Sequence, residues 1–311
     1  MNSNLAFVFP GQGSQKIGML ADLAAANPLV EETFKEASDV LGYDAWKLIQ
    51  EGEQEAINLT ERTQPLLLTA SVAIWRLWQQ QGGPQPMAMA GHSLGEWSAL
   101  VCAGVVKFSD AVEIVRARGA FMQQAVPVGV GAMAAIMGIE DQIVIDACAE
   151  AAEEQIAAAV NFNAPGQVVI AGDAAAIARA VDICKKAGAK RAVELPVSAP
   201  FHTSLMRPAA DNLAVLVEQK EFCAPQIPVL HNVHAQPETD PVAIKKLMLE
   251  QIYQPVLWVD CVNGLSSRGA EILIECGPGR VLNGLSKRID RSLTSLATDD
   301  VASLENALTS V

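Results

Sequence analysis

The segment Gly91-His92-Ser93-Leu94-Gly95 follows a short apolar run at 87 to 90 and precedes a stretch with helical spacing, which places a serine at a strand-to-helix turn. Glycines there permit a sharp turn and a close approach of neighbouring backbone, and a helix start favours negative charge developing at the hydroxyl. A serine that merely caps the helix is the alternative. As a nucleophile Ser93 needs a base, and histidine is the usual one near neutral pH. The chain has four. His92 adjoins the serine but leaves the turn in the wrong direction. His231 and His234 form H-x-x-H without the further carboxylate or thiol that a zinc site needs. His202 lies just after Pro196 and Pro200, in a rigid loop suited to an active-site element, which favours it over His231.

Two further features bear on such a site. With 109 to 123 read as a helix, Ala111, Ile114, Val115, Phe121 and Met122 share one face, and Arg118 falls in its middle. A buried guanidinium needs an anion. That anion is either a buried Asp or Glu, or a substrate carboxylate held by two parallel hydrogen bonds. Arg116 lies on the polar face with Glu113 and Gln123 and reads as a solvated ion pair. The loop Pro10-Gly11-Gln12-Gly13-Ser14-Gln15 has Lys16 where a dinucleotide fingerprint needs glycine, and it lacks the G-K-S/T of a phosphate loop. A glycine-flanked Gln12 instead suits backbone N–H groups brought close to a reacting oxygen.

The elements that must position these residues read as α/β. Leu5 to Phe9 is a buried strand stopped by Pro10-Gly11; segments near 28 to 41, 64 to 80, 94 to 103 and 109 to 123 have helical spacing; and Glu271 to Glu275 is a later strand. Between 127 and 196 the order is strand (132 to 137), helix (140 to 152), strand (156 to 162), strand (167 to 171), helix (173 to 187) and strand (190 to 195). That βαββαβ order predicts a ferredoxin-like small domain at 127–196, inserted into a larger core formed by 1–126 and 197–311. A net charge of -13 with no basic run argues against nucleic acid and anionic membranes as partners. Lys185, Lys186, Lys190 and Arg191, and also Lys287, Arg288 and Arg291, are local basic clusters that could receive an acidic protein or simply face solvent. The six scattered cysteines fit reduced core thiols in a cytoplasmic protein, no signal peptide is evident at the start, and Pro127 with nearby glycines breaks the longest uncharged stretch.

In order along the chain, F-V-F-P-G-Q-G-S-Q at 7 to 15, T-Q-P at 63 to 65, G-H-S-L-G-E at 91 to 96, Arg118, N-F-N-A-P-G-Q at 161 to 167, His202, Gln251 and E-C-G-P-G at 275 to 279 resemble the malonyl-CoA:acyl carrier protein transacylases of bacterial fatty acid synthesis. The resemblance covers essentially the whole chain. It implies a hydrolase-like parallel-sheet core with the ferredoxin-like insert, and an acyltransferase that carries malonyl on Ser93. By the same likeness His202 is general base and then acid, the N–H groups of Gln12 and Leu94 form the oxyanion hole, and Arg118 binds the malonyl carboxylate. Gln251 matches the position whose backbone carbonyl orients the histidine. Gln64, Asn163 and Phe201 are further pocket candidates. No enzyme-bound cofactor or metal is expected; malonyl-CoA is the donor and the phosphopantetheine of acyl carrier protein the acceptor, with the enzyme a monomer. Trp97 stands where this family often has Tyr, and Phe201 where many bacterial members have Ser. A bulky ring at 201 should disfavour branched acyl groups, by about 1 to 3 kcal/mol.

Overall fold

In the computed structural model, residues 4–197 and 199–311 are described. The first strand, β1 (Leu5–Phe9), is buried at every residue, as expected of a parallel strand covered on both faces. It shares a parallel sheet with β2 (Ala88–Gly91) and, after four strands discussed below, β7 (Val229–Leu230), β8 (Ile272–Glu275) and β9 (Thr294–Ala297), in the order β7-β2-β1-β8-β9. The register pairs Phe9 with Gly91 and Val8 with Glu275, so the carboxyl ends of the three central strands are level. Loops that leave one edge together can share a ligand, as at the carboxyl edge of open α/β sheets generally.

Helices cover this sheet. The long helix Thr60–Gln80 presents Trp75 and Trp78 edge-on to Phe7, with ring centroids 5.3 and 5.1 Å away. It begins four residues before the Gln64 that the spacing predicts, so Pro65 lies inside it rather than at its start. The carbonyl of Pro65 instead accepts from the hydroxyl of Thr69. Two strands escaped the sequence reading: β7 is two residues long, too short for any periodic pattern, and β9 has no fully buried residue.

The four remaining strands are β3 (Gly131–Met137), β4 (Ala157–Ala164), β5 (Gln167–Asp173) and β6 (Arg191–Glu194). They form an antiparallel sheet in the order β4-β5-β3-β6, with helices Asp141–Ala152 and Ala174–Lys186 between β3 and β4 and between β5 and β6. This is the βαββαβ connection and strand order of a ferredoxin-like unit. Its core is apolar, with Ile136, Val144, Val168, Ile170 and Ile177 at its centre. Two register shifts interrupt the β4–β5 ladder, after Ala159 and after Phe162. Between them β4 bonds outside its own sheet: Val256 N–H donates to the Val160 carbonyl and Phe162 N–H to that of Val256. Irregularities of this kind re-aim side chains, here at Asn161 and Asn163. Among the described residues no helix is long and apolar enough to cross a membrane.

Candidate active site

Ser93 sits between β2 and the helix Leu94–Cys102 with φ 51° and ψ -104°, a backbone conformation that side chains with a Cβ rarely adopt. Such strain costs on the order of 1–3 kcal/mol and persists only where neighbours over-determine it. They do so here. Ser93 N–H donates to Asn232 Oδ1 at 2.8 Å, and its carbonyl accepts from Gln251 Nε2 at 3.0 Å. The flanking glycines are dictated by contact: a Cβ on Gly91 would lie 1.9 Å from Gly95 C, and one on Gly95 would lie 2.0 Å from the Phe9 carbonyl oxygen. The turn therefore draws the hydroxyl up to the end of β1.

His202 also has positive φ, 64°, and brings Nε2 to 2.9 Å from Ser93 Oγ. On the other side of the ring Nδ1 lies 2.8 Å from the backbone carbonyl of Gln251. A carbonyl can only accept, so the proton resides on Nδ1 and Nε2 is free to accept from the serine hydroxyl. Burial, then the neighbouring Arg118 charge, push the imidazole down to about 3. The imidazole is thus neutral at ordinary pH.

Arg118 completes the cluster. It is 1% exposed on the helix Phe108–Gln124, and donates to Gln64 Oε1 and Gln251 Oε1, each at 2.8 Å, and to Ser93 Oγ at 3.2 Å. Among the described residues no carboxylate pairs with it, and its Nε is buried without a partner, so the buried-acid alternative is not realised. Burial lowers it to about 10, and the nearby Glu96 charge opposes that. Arg116 differs from its expectation too. It donates to the Leu41 carbonyl, while Glu113 pairs with Lys220 at 2.6 Å because that lysine approaches from another helix.

A cavity of about 420 Å3 opens onto these groups. Gln12, Leu94, Gln64, Asn163 and Phe201 all line it with Ser93, Arg118 and His202, so of the residues that the resemblance named for the site only Gln251 is outside its lining, buried behind it. Asn163 holds His92 Nε2 at 2.7 Å, which turns that imidazole away from the serine. The sequence reading missed the apolar wall that the second sheet supplies through Met133, Val169 and Leu195. It also missed the buried polar groups behind the serine. His231 Nδ1 lies 2.7 Å from Glu96 Oε1 with both side chains fully buried, and Asn232 bonds Ser93 N–H and the Gly91 carbonyl. The only signal for these was Glu96 at the end of the serine motif and the H-x-x-H that contains Asn232. Among the described residues no group of three or more His, Cys, Asp or Glu is placed to hold a metal.

Residues 6–303 match the acyl transferase domain family. The chain is 57% identical over 307 residues to the malonyl CoA-acyl carrier protein transacylase of Salmonella typhimurium, covering 99% of each. Among solved structures, an acyl carrier protein S-malonyltransferase from Vibrio cholerae superposes with a TM-score of 0.97 at 58% identity, over 98% of this chain and all of that one. A malonyl-transacylase solved in complex with a type II PKS acyl-carrier protein gives 0.98 at 56% identity, over 99% and all of the chain.

Proposed function

The chain belongs to the malonyl-CoA:acyl carrier protein transacylases, and from that premise we propose that it moves malonyl from coenzyme A to a carrier phosphopantetheine thiol through an ester on Ser93. The observation that carries the reading is the meeting of Ser93 Oγ, His202 Nε2 at 2.9 Å and Arg118 at 3.2 Å in one buried pocket.

The chemistry proceeds in two half-reactions. Ser93 gives its proton to His202 Nε2 as Oγ attacks the thioester carbonyl, and the negative oxygen faces the N–H groups of Gln12 and Leu94. Collapse breaks the C–S bond, and the imidazolium returns its proton to the departing coenzyme A thiolate. The carrier thiol then yields a proton to the same imidazole and attacks the ester; the C–O bond breaks and Ser93 recovers its hydrogen. The Gln251 carbonyl, in place of a triad aspartate, holds the ring throughout. In malonyl the carboxylate is two bonds from the reacting carbon, which suits a guanidinium beside the nucleophile. Arg118 is the acyl-carboxylate holder in this scheme, and it needs no cofactor.

For the acceptor, the two basic clusters offer a docking face. Lys190 and Arg288, one from each, line a common cavity of about 670 Å3 beside Pro165-Gly166, and Arg288 bonds Gln167. An acidic carrier would meet locally positive charge there despite the chain's net -13. A reducing cytoplasm suits the six free cysteines, and a single chain contains the whole site.

The test is intact-mass measurement after brief exposure to malonyl-CoA, followed by peptide mapping. A malonyl adduct on Ser93 that is discharged by holo carrier protein supports the scheme. Consumption of malonyl-CoA at equal rates with and without carrier would instead identify a hydrolase. Arg118→Ala should lower malonyl relative to acetyl transfer by roughly a hundredfold, the scale expected when a buried charge loses its partner.

A further inference from the structure

Glu96, His231 and the side-chain amide of Gln251 have no role in the transfer just described, yet all three are fully buried directly behind Ser93. Glu96 lies on the helix that Ser93 starts, and its one ion-pair neighbour among the described residues is His231. Both carboxylate oxygens face nitrogens. His231 Nδ1 is 2.7 Å from Oε1, while Gln251 Nε2 at 2.6 Å and Asn232 N–H at 3.1 Å donate to Oε2. A carboxylate only accepts, so Gln251 must turn its NH2 toward Glu96. Its carbonyl oxygen is thereby left facing Arg118, 2.8 Å from the guanidinium. The opposite orientation would set a carbonyl against the carboxylate and an NH2 against the guanidinium, two repulsions in a dry interior.

We infer that Glu96 is a positioning residue that aims Arg118 through the Gln251 side-chain amide, and so governs selection of acyl groups bearing a carboxylate without touching them. The inference rests on Arg118 being the acyl-carboxylate holder. Its path to the base is separate: His202 bonds the backbone carbonyl of Gln251, which does not depend on how the amide is turned. The Ser93 carbonyl also accepts from this amide, but Asn232 holds the Ser93 N–H independently, so loss of the relay should fall on malonyl far more than on acyl groups with no charge. Glu96 also supplies the negative charge that offsets the burial of Arg118.

Glu96→Gln would introduce an NH2 among partners that already donate. Either His231 moves its proton to Nε2, which has no partner in the interior, or Gln251 turns over and shows Arg118 an NH2. The experiment is a double-mutant cycle on single-turnover acylation of Ser93, with malonyl-CoA and acetyl-CoA, in the unaltered protein, Glu96→Gln, Arg118→Ala and the double variant. Glu96→Gln should lower the malonyl-over-acetyl preference tenfold or more, with the acetyl rate within threefold of the unaltered protein. In the Arg118→Ala background the same change should shift the preference less than twofold. Equal losses for both acyl groups, an unchanged preference, or the same shift without Arg118 would overturn the inference. Should Arg118→Ala alone keep the preference, the carboxylate role of Arg118 fails and the relay falls with it. If Arg118→Ala loses the preference and Glu96→Gln keeps it, only the relay fails. Should Glu96→Gln not fold, Glu96→Asp, which keeps the charge but draws it back from the Gln251 amide, must show the same selective loss; a parallel loss of both rates would overturn the proposal equally.

Discussion

Between the antiparallel sheet and its two helices the interior consists of aliphatic side chains and two thiols, Cys148 and Cys184. Behind Ser93, at the end of the parallel sheet, the interior holds Glu96, Arg118, His202, His231, Asn232 and Gln251, all at least nine-tenths buried. The first region could be repacked with other apolar residues of similar volume and keep its shape. The second could not, because its polar side chains bond one another and removing one strands its neighbours. The contrast separates two tasks. The antiparallel unit contributes walls through Met133, Val169 and Leu195, and the parallel sheet concentrates the charges and the strained backbone at its carboxyl edge.

The largest effect expected from this division is at Ser93, the proposed nucleophile. Ser93→Ala should abolish the malonyl adduct and reduce transfer by about 10^4 or more, while the melting temperature changes little. A residual adduct in that variant would move the chemistry to another residue. The opposite pattern belongs to the apolar unit: Ile170→Ala should cost about 2–5 kcal/mol of stability by denaturant titration yet leave kcat/KM intact in folded protein. A large catalytic loss there would break the separation between wall and charge cluster.

The next effect is on pH. With His202 held down to about 3, the neutral imidazole persists to about pH 4, so if it is the base as proposed, acylation at pH 5 should run roughly 30-fold faster than an ordinary histidine near 6.5 would allow. The same depression acts on folding. The unfolded chain takes up this proton near pH 6.5 and the folded one only near 3, so the stability it confers above 6.5 declines as pH falls between them. A kcat/KM profile for acylation with its acid midpoint at 6.5 would contradict the buried-base reading. The smallest effect is at the rim: Phe201→Ser should raise acceptance of a methyl-branched malonyl group by about tenfold, read as a ratio of acylation rates.

Legibility in the sequence followed the same division. β1 and β2, the serine turn and the βαββαβ order were readable because periodicity, glycine and proline act over a few residues. Trp97, which stands where the family often has Tyr, is fully buried against Phe222. The two-residue β7 was not readable, since its pairing with β2 comes from the sheet rather than from its own composition. Nor was Glu96, whose partners at 231, 232 and 251 are all more than a hundred residues away.

By itself, then, the order of residues determined the α/β character of the chain, the exposed serine at a strand end and an arginine forced onto an apolar helix face. Those are consequences of local geometry. The resemblance named His202 and the Gln251 carbonyl, but only the tertiary structure decided that His202 Nε2 reaches Ser93, that Arg118 finds glutamines rather than an acid, and that Gln251 meets His202 through its backbone and the guanidinium through its side chain. Such contacts join points 49 to 133 residues apart, and spacing along the chain places no constraint on groups brought together from that distance by packing.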